Sequence, residues 1–289
     1  MPASICILTD STAQFPQLGF PGRNDVRVIS FSIEVNGQVY EEGQELRAAD
    51  LPASANDRLR PRLIPPSVEK FRELFLNLGF YYSEIVAVLT SASLSAACQN
   101  AMQAAADVQG RARVIVIDSQ TTSVGLGLMV QTAAEAASQG LNVIEVERIV
   151  RSSIPRTYMT ICTPGLSYLY YAGLVDQAQA FVGEMLGLMP IFTLEDGQIS
   201  AVEKVRNTRS LVDYMQEFIC EFDNLQHIAF IQSTPGLAHE ARLIREHAQN
   251  SFPQTPFSEH TINPPLAALF GPRSVGLVVV EKPDAKGRG

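Results

Sequence analysis

The densest run of chemistry-bearing side chains is Thr90, Ser91, Ser93 and Ser95, set within IVAVLTSASLSAACQNA at 85–101. An apolar, β-branched segment enters this run, and a helical pattern leaves it. Leu94, Ala97, Cys98, Ala101, Met102 and Ala105 recur at the spacing of one helix face. Hydroxyls at a strand-to-helix turn meet free N–H groups and the positive end of the helix dipole, where a carboxylate or phosphate is well received. They can also be simple N-caps. One serine suffices for a cap and this turn offers several, so both roles stay open on the residues alone. Two more polar knots share the context. Thr9, Asp10, Ser11 and Thr12 follow the apolar run Ser4–Leu8, and Asp118 and Ser119 follow Val114–Ile117. Asp10 and Asp118 could form an acid/base pair. Strand-end carboxylates that bond loop amides are the preferred reading.

These knots need a scaffold that brings strand ends together. Strand, polar turn and helix recur through the first half of the chain, the pattern of a parallel α/β layer fold. In such sheets ligands bind beyond the carboxyl ends of the strands, so positions 10–12, 90–95 and 118–119 would line one rim. Ser67 is placed to cap a helix whose face carries Val68, Phe71, Leu74, Phe75 and Leu78. Gly- and Ala-rich residues 124–138 predict a helix packed closely on the sheet, and Asn142 predicts the cap of the next helix. Asn36-Gly37 predicts a hairpin turn, and 41–61 reads as a polar surface excursion. After about Thr157 the pattern changes to an α+β grammar. A short strand runs over Tyr158–Thr163, followed by helices at 165–173 and 176–186. A hairpin turns at Asp196-Gly197, a helix spans 207–222, a strand 227–232 and a helix 237–248. Strands at 257–262 and 274–281 close the chain, and a polar tail follows from Lys282.

Composition removes several function classes. The chain has 289 residues, 46% hydrophobic, with net charge −8. Its mean hydropathy is +0.07 and its pI about 5.1. Nucleic acid and anionic membrane surfaces are poor partners for such a chain. No apolar run approaches a membrane span. The opening MPASICILTD enters a strand-like run with no basic region or cleavage site ahead of it, so no signal peptide is expected and the expected location is the cytoplasm. Cys6, Cys98, Cys162 and Cys220 lie apart in apolar contexts and read as buried free thiols. His227, His239, His247 and His260 share no ligand spacing, and no metal or other cofactor is expected. Nucleotide-binding glycine fingerprints are missing, and Arg206 and Arg209 read as a solvated face. No nucleophile–base pair stands out, so no catalytic residue is assigned and the chain is expected not to be an enzyme.

With these residues in place, the chain resembles the DegV family, which includes the fatty-acid-binding subunits of bacterial fatty acid kinase. Seven marks occur in order. They are Ile7-Leu8-Thr9-Asp10-Ser11-Thr12, then Leu94-Ser95 with Gln99 and Ala101, then Ile117-Asp118-Ser119. Leu166, Tyr168, Leu169 and Gly173 follow, then Pro190-Ile191 before Asp196-Gly197, Glu203-Lys204-Val205-Arg206, and Gly271-Pro272 before Gly276. The resemblance implies two domains, at 1–160 and 161–289. The first would be a three-layer α/β/α domain with a parallel sheet, the second a two-layer α/β domain with a mixed sheet. It further implies a long acyl chain held between them, its carboxyl on hydroxyls, and a kinase subunit as a further partner.

The chain departs from the family at the polar end. Leu63-Ile64-Pro65-Pro66 stands where the family carries Thr-Ser-Gln-Pro, and Ala96-Ala97 where it carries Gly-Thr. Ala172-Gly173-Leu174 replaces Gly-Gly-Arg, and Leu269-Phe270-Gly271-Pro272-Arg273 replaces His-Thr-Gly-Pro-Gly. A sixteen-carbon chain buries about fourteen methylenes at roughly 0.8 kcal/mol each, on the order of 11 kcal/mol. A lost carboxylate hydrogen bond costs about 1.5–3 kcal/mol. Lipid binding can therefore outlast the threonine, whereas phosphoryl transfer depends on the lost cations and donors. The expected ligand residues are Ser95 and then Ser91 at the head, Ser93, Thr12 and Ser119 on the strand-end rim, and Leu63, Ile64, Leu269 and Phe270 at the entrance. The expected function is non-catalytic binding of a fatty acid or similar lipid, with acyl phosphate formation impaired. The alternative is a small polar metabolite or anion on the strand-end rim, with or without catalysis.

Overall fold

The computed structural model describes residues 5–41, 46–56, 58–108, 110–176, 187 and 189–283. Its contacts divide the chain into two compact units, Met1–Ser32 with Ile64–Pro155 and Asp196–Gln198, and Ile33–Leu63 with Arg156–Glu195 and Ile199–Gly289. The contiguous halves 1–160 and 161–289 expected from the sequence do not coincide with these units. Segment 33–63 and the hairpin tip 196–198 are the exchanges, and each has a local cause given below.

The first unit is built on four parallel strands. These are β1 (Ile5–Asp10), β2 (Val26–Ile29), β6 (Glu84–Leu89) and β7 (Arg113–Asp118), in the order β2-β1-β6-β7. β1 is buried along its whole length, as a central parallel strand covered on both faces should be. Ile7, Val86, Val88 and Ile117 pack against α3 (Ser123–Ser138) and α4 (Val143–Ser153). The alternate residues Cys6, Leu8, Ile85, Ala87 and Leu89 are equally buried and point to the opposite face. α2 (Ala97–Asp107) contacts β6 and β7, and α1 (Val68–Leu78) packs beside α2.

Local signals set these helices. The Ser67 hydroxyl accepts from the Lys70 N–H at 3.2 Å, and Asn142 with Glu145 forms a capping box on α4. Gly127 lets α3 approach closely, since a Cβ there would lie 2.0 Å from the Gln14 carbonyl oxygen. α2 differs from expectation. It begins at Ala97, because Ser91–Leu94 is a turn closed by Leu94 and Ser95 N–H groups donating to the Ser91 carbonyl. Its buried stripe is Ala97, Cys98, Ala101 and Ala104, while Met102 is exposed.

The second unit carries a six-stranded mixed sheet in the order β10-β9-β8-β13-β11-β12. Its strands are β8 (Thr157–Cys162), β9 (Met189–Glu195), β10 (Gln198–Val205), β11 (Leu225–Gln232), β12 (Phe257–Thr261) and β13 (Val275–Glu281). β8 pairs antiparallel with β9 and β13, β13 antiparallel with β11, and β11 parallel with β12. Ile191, Ile228, Phe230, Leu277 and Val279 form a core with α6 (Thr208–Cys220) and α7 (Ala238–Ser251). α5 (Ser167–Tyr171) and α8 (Pro264–Phe270) pack together in the same unit.

A smaller sheet, β4-β3-β5, joins β3 (Ser32–Val35), β4 (Gln38–Tyr40) and β5 (Arg62–Ile64). Both hairpin predictions hold. Asn36 and Gly37 have φ 55° and 79°, Asp196 and Gly197 φ 48° and 74°, the paired positive angles of a type I′ turn. The stretch expected as a surface excursion is anchored instead. Ala48, Leu51 and Ala55 are buried, the Ala55 N–H donates to the Ser167 hydroxyl, and the Tyr168 hydroxyl donates to the Pro52 carbonyl at 2.6 Å. These bonds explain why 33–63 counts with the second unit. Residues 177–186 of the helix expected over 176–186, and 284–289 of the tail expected from Lys282, lie outside the described residues.

Candidate functional site

β1, β6 and β7 are neighbours and parallel, so their carboxyl ends form the expected rim. Asp10 is fully buried there. One carboxylate oxygen accepts from the Thr12 N–H at 2.9 Å and the Thr12 hydroxyl at 2.6 Å, and the other from the Thr90 N–H at 2.7 Å. Asp118 accepts from the Gln120 and Ala92 N–H groups at 2.9 and 3.2 Å. Both carboxylates thus serve the loops, as preferred from sequence.

Thr12, Ser91, Ser93 and Ser119 are brought together by this network. The Ser119 hydroxyl and the Ser91 N–H both donate to the Thr121 carbonyl, at 3.0 and 2.8 Å. The hydroxyls of Ser91 and Ser93 lie 3.1 Å apart. Ser91 is fully buried, and its hydroxyl donates to the Gly197 carbonyl at 2.9 Å, which places Asp196–Gln198 with this unit. Ser95 is half-buried. Its hydroxyl oxygen accepts from the Ala97 N–H at 3.2 Å, and among the described residues its own hydrogen has no acceptor. Ser95 is therefore the serine best free to donate to a ligand.

Three further hydroxyls stand at the rim, of which Thr9 was expected only as part of a polar knot and Thr121 and Thr122 were missed. The side-chain oxygens of Thr9, Thr121 and Thr122 are buried without a hydrogen-bond partner, a costly state for a polar atom. Gln120 and Ser123 flank two of them with φ of 54° and 55°, left-handed conformations that suit neither residue. The N-cap residues of α2 and α3, Ala96 and Thr122, make no side-chain cap bond, and at α2 the Ser95 hydroxyl accepts the Ala97 N–H instead. The rim therefore carries strained backbone at Gln120 and Ser123. Single-residue patterns carry no sign of this strain.

The apolar candidates Leu63, Leu269 and Phe270 belong to the second unit, and Ile64 to the first. Leu63 and Ile64 are half-buried in β5, while Leu269 and Phe270 are buried in α8. Phe270 walls a cavity of about 240 Å³ together with Ser54, Ser167, Tyr168, Gly271 and Arg273. An apolar cavity of about 180 Å³ shares Pro164 and Arg273 with it and adds Cys162, Met189 and Leu211. Each is below the roughly 300–1,000 Å³ of a typical small-molecule site. Arg273, an exposed cation common to both, was legible only as a departure from a glycine.

Thiol chemistry is unsupported. Burial pushes the thiols of Cys6 and Cys162 up to about 12, and burial beside Asp118 and Asp10 pushes that of Cys98 up as well. Cys220 departs from the expectation, being exposed, with its sulfur 3.3 Å from His247 Nε2. No group of three or more His, Cys, Asp or Glu among the described residues is placed to hold a metal ion. Among them no helix is long and apolar enough to cross a membrane.

A parallel sheet with helices in one unit and a separate mixed sheet in the other define a two-domain α/β fold. The model of the DegV family, described as uncharacterised proteins, matches residues 4–282, and the chain belongs to that family. It is 28% identical over 222 residues to a DegV domain-containing protein of Caldanaerobacter subterraneus, covering 75% of this chain and 79% of that one. The fold is that of a fatty-acid-binding DegV family protein from Thermus thermophilus, with TM-score 0.81 and 24% identity over 96% of this chain and 100% of that one. It is also that of the Streptococcus pneumoniae Fatty Acid Kinase B3 protein loaded with linoleic acid. There the TM-score is 0.82 at 18% identity, with coverage of 96% and 100%.

Proposed function

We propose that this chain binds a long-chain fatty acid or similar lipid without catalysing its conversion. In this reading the ligand occupies an interdomain cavity of the kind the family resemblance implies, in a cytoplasmic protein. Ser95 holds the head group, with Ser93, Ser91, Thr12 and Ser119 forming its polar support. Leu63, Ile64, Leu269 and Phe270 provide apolar contact. The observation that carries the reading is the half-buried Ser95 hydroxyl, which accepts the first N–H of α2 and keeps a free donor there. The fatty-acid-binding neighbours support it at the level of fold. Acyl phosphate formation with a kinase subunit is impaired in this reading. Leu174, Leu269 and Phe270 offer no cation or hydroxyl donor for a transferring phosphoryl group. Incubation with palmitate, ATP and a kinase subunit of the fatty acid kinase type tests this, and palmitoyl phosphate at the rate of a competent binding subunit would overturn it.

A second reading rests on the buried, unpartnered hydroxyls of Thr9, Thr121 and Thr122, which suit a small polar ligand on the rim. Calorimetry with inorganic phosphate and acetate on delipidated protein separates the two. Binding of these anions that oleate does not displace favours the polar ligand.

A further inference from the structure

The largest cavity lying wholly within the second unit, among those described, is separate from every residue assigned above. It has a volume of about 510 Å³, within the range of small-molecule sites. Four aromatic rings line it. Tyr158 of β8 lies 4.9 Å from Phe222 between ring centroids, Phe222 meets Phe218 edge-on at 5.4 Å, and Phe218 stacks on Tyr214 at 6.4 Å. Tyr214, Phe218 and Phe222 are spaced i, i+4, i+8 along α6 and the turn after it, so one helix stripe presents all three.

The rim is acidic. Glu195, Glu221 and Glu281 line the cavity, and among the described residues no Lys, Arg or His lines it. The Tyr158 hydroxyl donates to the Glu281 carboxylate at 3.1 Å, fixing ring and charge together. Outside the lining, the Arg156 guanidinium bonds the Glu281 backbone carbonyl at 2.9 Å. Thr193 also lines the cavity, and its hydroxyl oxygen is buried with no hydrogen-bond partner. Ring faces attract cations, carboxylates at the mouth attract them further, and the same carboxylates repel a fatty acid anion.

We infer that this cavity binds a small organic cation, with an alkylammonium group seated on the rings and facing the three carboxylates. The site does not depend on the lipid reading. Its occupant is told from a neutral apolar one by charge alone, so the probes are choline and its uncharged isostere 3,3-dimethylbutan-1-ol. Titration of the full chain by calorimetry should give saturable choline binding at one site, with the isostere about tenfold weaker or more. Glu221→Gln, at an exposed position, should weaken choline about severalfold while leaving thermal unfolding unchanged. Phe222→Leu should weaken it further. Equal binding of the two probes, no saturable choline binding, or choline binding indifferent to both substitutions would overturn the inference.

Discussion

The buried hydroxyl of Ser91 donates to the carbonyl of Gly197, 106 positions away in sequence, at 2.9 Å. A residue of the type and position expected to hold a ligand thus holds a hairpin tip. Ser95, four positions on, keeps its hydrogen free. This division of labour gives the first prediction. Ser91→Ala leaves a buried carbonyl unpaired and should destabilise the protein by about 1–3 kcal/mol in urea unfolding. Ser95→Ala should change stability by less than about 0.5 kcal/mol yet weaken fatty acid binding. Equal stability losses in the two variants would contradict the assignment.

Gly127→Ala should be far more costly than an ordinary helical Gly→Ala change, which usually stabilises. Its Cβ would fall 2.0 Å from the Gln14 carbonyl oxygen, a backbone atom that cannot swing aside. Overpacking of this kind costs about 1–3 kcal/mol or more. A rise in melting temperature would show that α3 does not approach the 13–15 segment this closely.

Much of the fold could be read in advance because its signals are local. Ser67 and Asn142 cap the helices they were expected to cap, and Asn36-Gly37 and Asp196-Gly197 turn hairpins with positive φ. Each depends on a few adjacent residues. What escaped depends on partners far along the chain. Tyr168 and Ser167 anchor residues 52–55 across more than a hundred positions, and this turns an expected surface excursion into part of a packed unit. α2 starts only at Ala97 and buries Ala97, Cys98, Ala101 and Ala104, while Met102, expected on the same face, is exposed. The rim was foreseeable from strand ends. The unpartnered hydroxyls of Thr9, Thr121 and Thr122 were not, since only packing shows which hydroxyl lacks a partner.

Histidine titration predicts a pH dependence. The His227 pKa is lowered to about 4, mainly by burial and secondarily by the neighbouring His260, with Ser258 hydrogen-bonded to both rings. The native state therefore binds fewer protons than the unfolded chain between about pH 4 and pH 6.5. The contribution of His227 is present above the unfolded value and is lost as pH falls through that window. Stability should decline on acidification from 6.5 towards 4, and His227→Gln should flatten that part of the curve. A His227 NMR titration midpoint above 6.5 would reverse the expected sign.

Thiol labelling should be selective. Cys6, Cys98 and Cys162 are buried with raised pKa values, whereas Cys220 is exposed. Under native conditions at pH 8 a thiol reagent should modify one equivalent, abolished in Cys220→Ser, and four after denaturation. More than one fast equivalent in the native state would contradict the described burial.

The most direct test of the central claim is mass spectrometry of the purified protein under native conditions, followed by analysis of its organic extract. The lipid reading predicts one fatty acid or related long-chain lipid per chain, released by extraction and reduced in Ser95→Ala. A protein that carries no long-chain lipid and takes up none when incubated with oleate would contradict it.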